Sequence, residues 1–150
     1  MKKLIFAIIL LFSSVCHAKL DVVFAIDNNY PLYAMLMINS IIKNNKSNQE
    51  YTFWILEADI TDENKTKMTD YVKSINQEIN FITVDPKYIK KWDVYSDHVT
   101  PIAMARTIVP ELLPQDIDKA LYLDCDMLVA EDLKTLFDID LGDYYGYETY

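Results

Sequence analysis

Apolar and polar positions alternate in blocks along this chain, and their periods mark a succession of strands and helices. Leu20 to Ile26 (LDVVFAI) is nearly all apolar and rich in β-branched residues, the pattern of a strand covered on both faces. It stops at Asp27-Asn28-Asn29. Pro31 suits a first helical turn, and Leu32 to Ile42 is apolar almost all round, which predicts a buried helix. Tyr51 to Leu56 reads as a second strand. Thr61 or Asp62 can cap a helix on which Met68, Tyr71, Val72 and Ile75 recur at i, i+3, i+4 and i+7 and face a core. A third strand follows at Ile79 to Val84. Thr100-Pro101 opens another helix, with Ile102 to Val109 inside it and Pro110 disturbing its end. Ala120 to Leu123 makes a strand, Glu131 to Phe137 a short helix, and Tyr144 to Tyr147 a last strand.

Such alternation implies right-handed crossovers and an α/β fold, a mostly parallel sheet with helices on both faces. Ligands of these sheets gather at the carboxyl ends of strands. Asp27-Asn28-Asn29 and Asp124-Cys125-Asp126 both lie at such ends, so two polar clusters far apart in sequence are expected to share one crevice.

Composition bounds the rest. The 150 residues are 51% hydrophobic, enough for one domain with a real core. Neither an internal repeat nor a low-complexity segment interrupts it. Lys2 and Lys3, the apolar run Leu4 to Phe12 and the small-residue site ending at Ala18 have the layout of a secretory signal peptide over residues 1–18, leaving 19–150 as the folded part. The run is too short for a helical span, so no permanent membrane span is expected. Export to a periplasm or the exterior is implied if the signal is cleaved. Cleavage removes Cys16 and leaves Cys125 alone, without a disulfide partner. With a formal charge of −9 the chain repels phosphate backbones, and nucleic acid is excluded as a partner class. A phosphate ligand would need a local counter-charge or a metal.

The stretch YLDCDMLV supplies the chemistry for one. Should the extended conformation persist through it, Asp124 and Asp126 point the same way and Cys125 faces the core. Two converging carboxylates repel unless a cation or proton is shared. Hard divalent ions such as Mg²⁺ and Mn²⁺ take oxygen ligands, often one or two carboxylates with phosphate oxygens and water. The plain alternative is a solvated acidic turn. Cys125 itself reads as small apolar filling rather than a reactive thiol.

Three blocks together, FAIDNNYPLY (Phe24 to Tyr33), AMARTIVPELLP (Ala103 to Pro114) and KALYLDCDMLVAEDLKTLFDID (Lys119 to Asp140), resemble those of family 8 glycosyltransferases in order and approximate spacing. The resemblance implies the GT-A nucleotide-binding fold. It also implies transfer of a hexose, with retention, from a nucleotide-diphospho-sugar such as UDP-glucose or UDP-galactose to a glycan or glycolipid acceptor. On the matching positions, Ala25, Asp27, Asn29 and Tyr30 would hold the uracil and ribose, and Arg106, the chain's single arginine, would approach the donor sugar. Asp124 and Asp126 would ligate Mn²⁺ or Mg²⁺ against the diphosphate, with Cys125 between them. No residue is assignable as a nucleophile, so the catalytic residues stay unknown. The family's downstream histidine block has no counterpart here. His98 precedes the acidic triplet and reads as an ordinary loop residue, and the chain reads as the N-terminal, nucleotide-binding portion of such an enzyme. Bacterial members are generally cytoplasmic, which opposes the export implied by the N-terminus. Two other functions fit parts of the pattern: a non-catalytic nucleotide-sugar-binding protein or inactive fragment, and a phosphatase of the haloacid dehalogenase type, which also uses a strand-end DxD.

Overall fold

The structure, a computed structural model, describes residues 19–89 and 100–142. The expected signal segment, His98 and the expected strand at Tyr144 to Tyr147 lie outside the described residues. Four strands, β1 (Leu20–Ile26), β2 (Tyr51–Glu57), β3 (Glu78–Thr83) and β4 (Ala120–Tyr122), form one sheet in the order β3-β2-β1-β4. Every pairing is parallel, with Val23 opposite both Trp54 of β2 and Tyr122 of β4. The helices are α1 (Pro31–Lys43), α2 (Asp62–Ser74), α3 (Pro86–Ile89), α4 (Val109–Leu112) and α5 (Lys134–Phe137), with a 3-10 helix at Pro101–Ile108.

Alternation along the strands divides the core in two. Val22, Phe24 and Ile26 of β1 and Tyr51, Phe53 and Ile55 of β2 pack on one face with Ala34, Met37, Ile38 and Ile41 of α1 and Met68 and Val72 of α2. Val23 and Leu56 point to the other face, against Ile102 and Ala105 of the 3-10 helix and Leu113. Because β1 is buried on both sides, its apolar run needs no alternation, which is why it reads as continuous. On α2 the sequence pattern is realised in detail. Thr61 Oγ1 accepts from Asn64 N at 3.3 Å, while Met68 and Val72 are buried and Tyr71 and Ile75 flank them.

Three local expectations are corrected. The 101–112 region is not one α-helix: a 3-10 helix runs to Ile108, and Pro110 sits in the first turn of α4, where a missing N–H costs nothing. The short helix after the acidic triplet is limited to Lys134–Phe137. Nor is α1 buried all round, since Leu32, Tyr33 and Leu36 are 61%, 51% and 50% exposed. Its inner side alone meets the sheet. Further along the same i, i+4 row, Ser40 Oγ accepts from Val129 N at 2.9 Å and Asn44 Nδ2 donates to Val129 O at 2.8 Å. Leu128, 76% exposed, comes immediately before this anchor point. A Leu36→Gln/Leu128→Gln variant is expected to bind less of a hydrophobic dye such as ANS while each change alters stability by no more than about 0.5 kcal/mol. Paired fluorescence and chemical-denaturation measurements check this.

Candidate functional site

Strand order places the site. The chain runs outward from β1 through β2 to β3, then returns to the other side of β1 as β4, so the direction of winding reverses between β1 and β4. In open parallel sheets ligands bind at such a switch, outside the carboxyl ends of the strands. Asp27-Asn28-Asn29 leaves β1 there and Asp124-Cys125-Asp126 leaves β4 there. The two polar clusters expected from the sequence to lie at strand ends thus leave neighbouring strands at the same edge of the sheet.

Each loop has its own local cause. Asp27 Oδ1 accepts from Asn29 N at 2.8 Å, and Asp27 O accepts from Tyr30 N at 3.2 Å, an Asx turn that delivers the chain into α1 at Pro31. The cap position itself falls on Tyr30, whose side chain makes no capping bond. Tyr30 is half-buried against the core beneath α1, its ring 5.6 Å from that of Tyr33 and tilted 48° to it. Ala25 is half-buried at the end of β1, and Asn29 is exposed.

The acidic triplet is not extended. Ladder bonding of β4 ends where Leu123 N donates to Val23 O at 3.0 Å, and Met127 N then donates back to Asp124 O at 3.4 Å. Asp124 and Asp126 are therefore carried by a turn, both exposed, with Cys125 buried between them. Period-two geometry fails at the triplet, although the inward cysteine it predicted is present. Burial first, and then the charges of Asp126, Asp124 and Asp27, push the Cys125 thiol up to about 11. That thiol is inert packing, and the charges that act on it come from both loops.

Arg106 comes to the same place from the 3-10 helix. Its Nε donates to Ala103 O at 3.0 Å, and the guanidinium lies 5.8 Å from the centroid of the Tyr122 ring. Burial of Tyr122, followed by the Asp124 charge, holds the phenol proton well above its ordinary range. Tyr122 thus links Arg106 to Asp124. Sequence reading missed it; its spacing two residues before Asp124 was the available signal. Asn28 was also passed over, and its partners lie more than thirty residues away.

As a metal centre the set is partial. Among the described residues no group of three or more His, Cys, Asp or Glu is gathered as a metal cluster. Neither Asp124 nor Asp126 is ion-paired among the described residues, so two exposed hard-oxygen donors remain available. Such a donor set fits Mg²⁺ or Mn²⁺ sharing phosphate oxygens and water.

The parallel α/β sheet and its strand order are those of the GT-A glycosyltransferase fold, shared with the solved structures described next. Residues 21–148 match the sequence model of glycosyl transferase family 8, and the chain belongs to that family. It is 29% identical over 126 residues to general stress protein A of Bacillus subtilis, covering 83% of this chain and 44% of that protein. It is 28% identical over 128 residues to a lipopolysaccharide 1,2-glucosyltransferase of Escherichia coli, covering 84% and 37% respectively. The crystal structure of the galactosyltransferase LgtC in complex with donor and acceptor sugar analogues superposes with a TM-score of 0.75 at 33% identity, again over 83% of this chain and 44% of that one. The chain thus spans less than half the length of these relatives. Family membership displaces the haloacid dehalogenase reading. No helix among the described residues is long and apolar enough to cross a membrane.

Proposed function

We propose that this chain forms the donor-binding part of a retaining, metal-dependent hexosyltransferase that takes a UDP-sugar, UDP-glucose or UDP-galactose, and passes the hexose to a glycan or glycolipid acceptor. The observation that carries the reading is that the Asp27 loop and the Asp124–Asp126 turn leave adjacent strands of a family 8 sheet at its switch point, with Arg106 lying over Tyr122 of the same strand end. Asp27 keeps an oxygen beyond its Asx bond to accept from a uracil N–H. The exposed Asn29 amide suits a ribose hydroxyl, and the outer part of the Tyr30 ring offers a stacking surface. Asp124 and Asp126 would hold Mn²⁺ or Mg²⁺ at the diphosphate, and when bound the ion supplies Lewis-acid stabilisation of the departing nucleotide.

Arg106 adds a charge that persists at any working pH and faces the same leaving group. Its guanidinium lies over the Tyr122 ring and forms no ion pair with Asp124 among the described residues. The acids and the arginine thereby stay available to opposite charges on the ligand.

UDP and Mn²⁺ together are expected to stabilise the chain more than the sum of either alone. At ligand concentrations near 100 times Kd the gain is about 2.7 kcal/mol, a rise in Tm of roughly 5–11 °C for a chain of this size. Differential scanning fluorimetry over a matrix of UDP and Mn²⁺ concentrations reads this directly. An unchanged Tm with both present would defeat the proposal.

A further inference from the structure

Asn28 lies between the two residues proposed to touch the nucleoside, yet its own bonds lead away from the crevice. Its Oδ1 accepts from Thr61 N at 3.0 Å and from Asn64 Nδ2 at 2.9 Å, and its backbone N donates to Asp59 Oδ1 at 3.1 Å. All three partners belong to the β2–α2 junction. That junction is pinned from below as well, because buried Glu57 accepts from Ile60 N at 3.1 Å and from Lys65 Nζ at 2.8 Å. The segment from Glu57 to Lys65 is therefore fixed at one side to the sheet and at the other to the Asp27 loop.

Such an arrangement does something a loop asparagine at the surface does not ordinarily do. Thr61 N is one of the first-turn donors a helix leaves without an internal acceptor, and Asn28 supplies that acceptor from a different loop. Thr61 itself caps α2 through Asn64 N. Thus the residue that starts α2 and the residue between Asp27 and Asn29 hold each other. Ordering the loop before the ligand arrives removes an entropic cost from binding. The sites are near the surface, so water can replace these bonds when they are lost; what water cannot supply is the placing.

We propose that Asn28 is a positioning residue for nucleotide recognition, which couples occupancy of the crevice to the first turn of α2. The inference rests on the nucleotide reading above. Through Thr61 and Asn64 it holds Asp27 and Asn29 at the spacing that meets base and ribose, and through the same bonds a bound nucleotide stiffens α2.

Hydrogen exchange read by mass spectrometry, with and without UDP plus Mn²⁺, tests it on the full chain together with titration calorimetry. In the wild type, ligand is expected to slow exchange in residues 27–30 and also in residues 61–65. Asn28→Ala should weaken UDP binding about 10-fold and abolish the ligand effect at 61–65. Asn28→Asp keeps the acceptor oxygen and should restore both. Asn64→Ala, which changes no residue of the nucleotide loop and removes one of the two bonds to Asn28 Oδ1, should weaken binding by a smaller factor and serves if Asn28→Ala fails to fold. Ligand protection confined to 27–30 in the wild type, or wild-type affinity in Asn28→Ala, overturns the coupling while leaving the nucleotide reading in place. Absence of ligand protection anywhere overturns both.

Discussion

An Asp124→Asn/Asp126→Asn variant is expected to bind UDP in Mn²⁺ at least about 100-fold more weakly than the wild type, with its metal-free UDP affinity unchanged. Asparagine keeps the shape of each side chain and removes only the charge. Both positions are exposed on a turn, so the fold has little to lose. Two of the three carboxylates that act on buried Cys125 also disappear, which relieves mutual repulsion in the ligand-free protein. Stability without ligand is therefore expected to stay within about 0.5 kcal/mol or to rise slightly. Titration calorimetry with and without Mn²⁺ separates the two terms. Full retention of the metal-dependent affinity would show that the acids are a solvated turn and nothing more.

Loss of Glu57 is expected to be the most damaging single change to the fold. It is 1% exposed at the end of β2, and it accepts from Lys65 Nζ, Thr83 Oγ1 and Ile60 N. Glu57→Ala leaves an ammonium, a hydroxyl and a backbone N–H facing a void. Breaking a buried pair in this way costs about 3–5 kcal/mol, and the partial exposure of Lys65 places the cost toward the lower figure. The acid dependence has a definite sign. Burial alone would raise the Glu57 carboxyl, but the bonds from Lys65, Thr83 and the Ile60 N–H outweigh it and hold the group below its ordinary value. A carboxylate lowered in the folded state contributes fully above its unfolded pKa, and that contribution is lost as pH falls through the folded one. Between about pH 6 and about pH 3 the wild type should therefore lose more stability than Glu57→Gln. Urea titrations at several pH values check this, and parallel curves for the two proteins would refute it.

Which features could be read in advance follows from the range of the interactions that make them. The period of β1, the Thr61 cap and the inward stripe of α2 are decided by residues within a turn or a few pleats of one another, and each stands where the pattern put it. The outer side of α1 was misjudged because an all-apolar helix does not say which side meets a sheet. For the acidic triplet the cause is more distant: where β4 ends depends on its ladder with Val23, nearly a hundred residues earlier, and the turn begins there. The 3-10 helix at 101–108 likewise had no local mark distinguishing it from the expected α-helix. Of the candidate site, the charged residues were visible and Tyr122 and Asn28, which stand beside them, were not. Tyr122 and Asn28 act through partners on other elements, and a linear pattern holds no record of those.

Sheet order also has a consequence for how the protein is made. β1, β2 and β3 are consecutive in the chain and share their pairing with no help from later residues, whereas β4 must add to the far side of β1 after the intervening segment has folded back. On a translating ribosome the strands and helices up to Thr83 emerge first and have most of one core layer to hand. The loop proposed to meet the base is thus built early in synthesis, and the acids arrive last. A nascent chain stalled before Ala120 should already present its asparagine-rich loop but have no grip on a diphosphate.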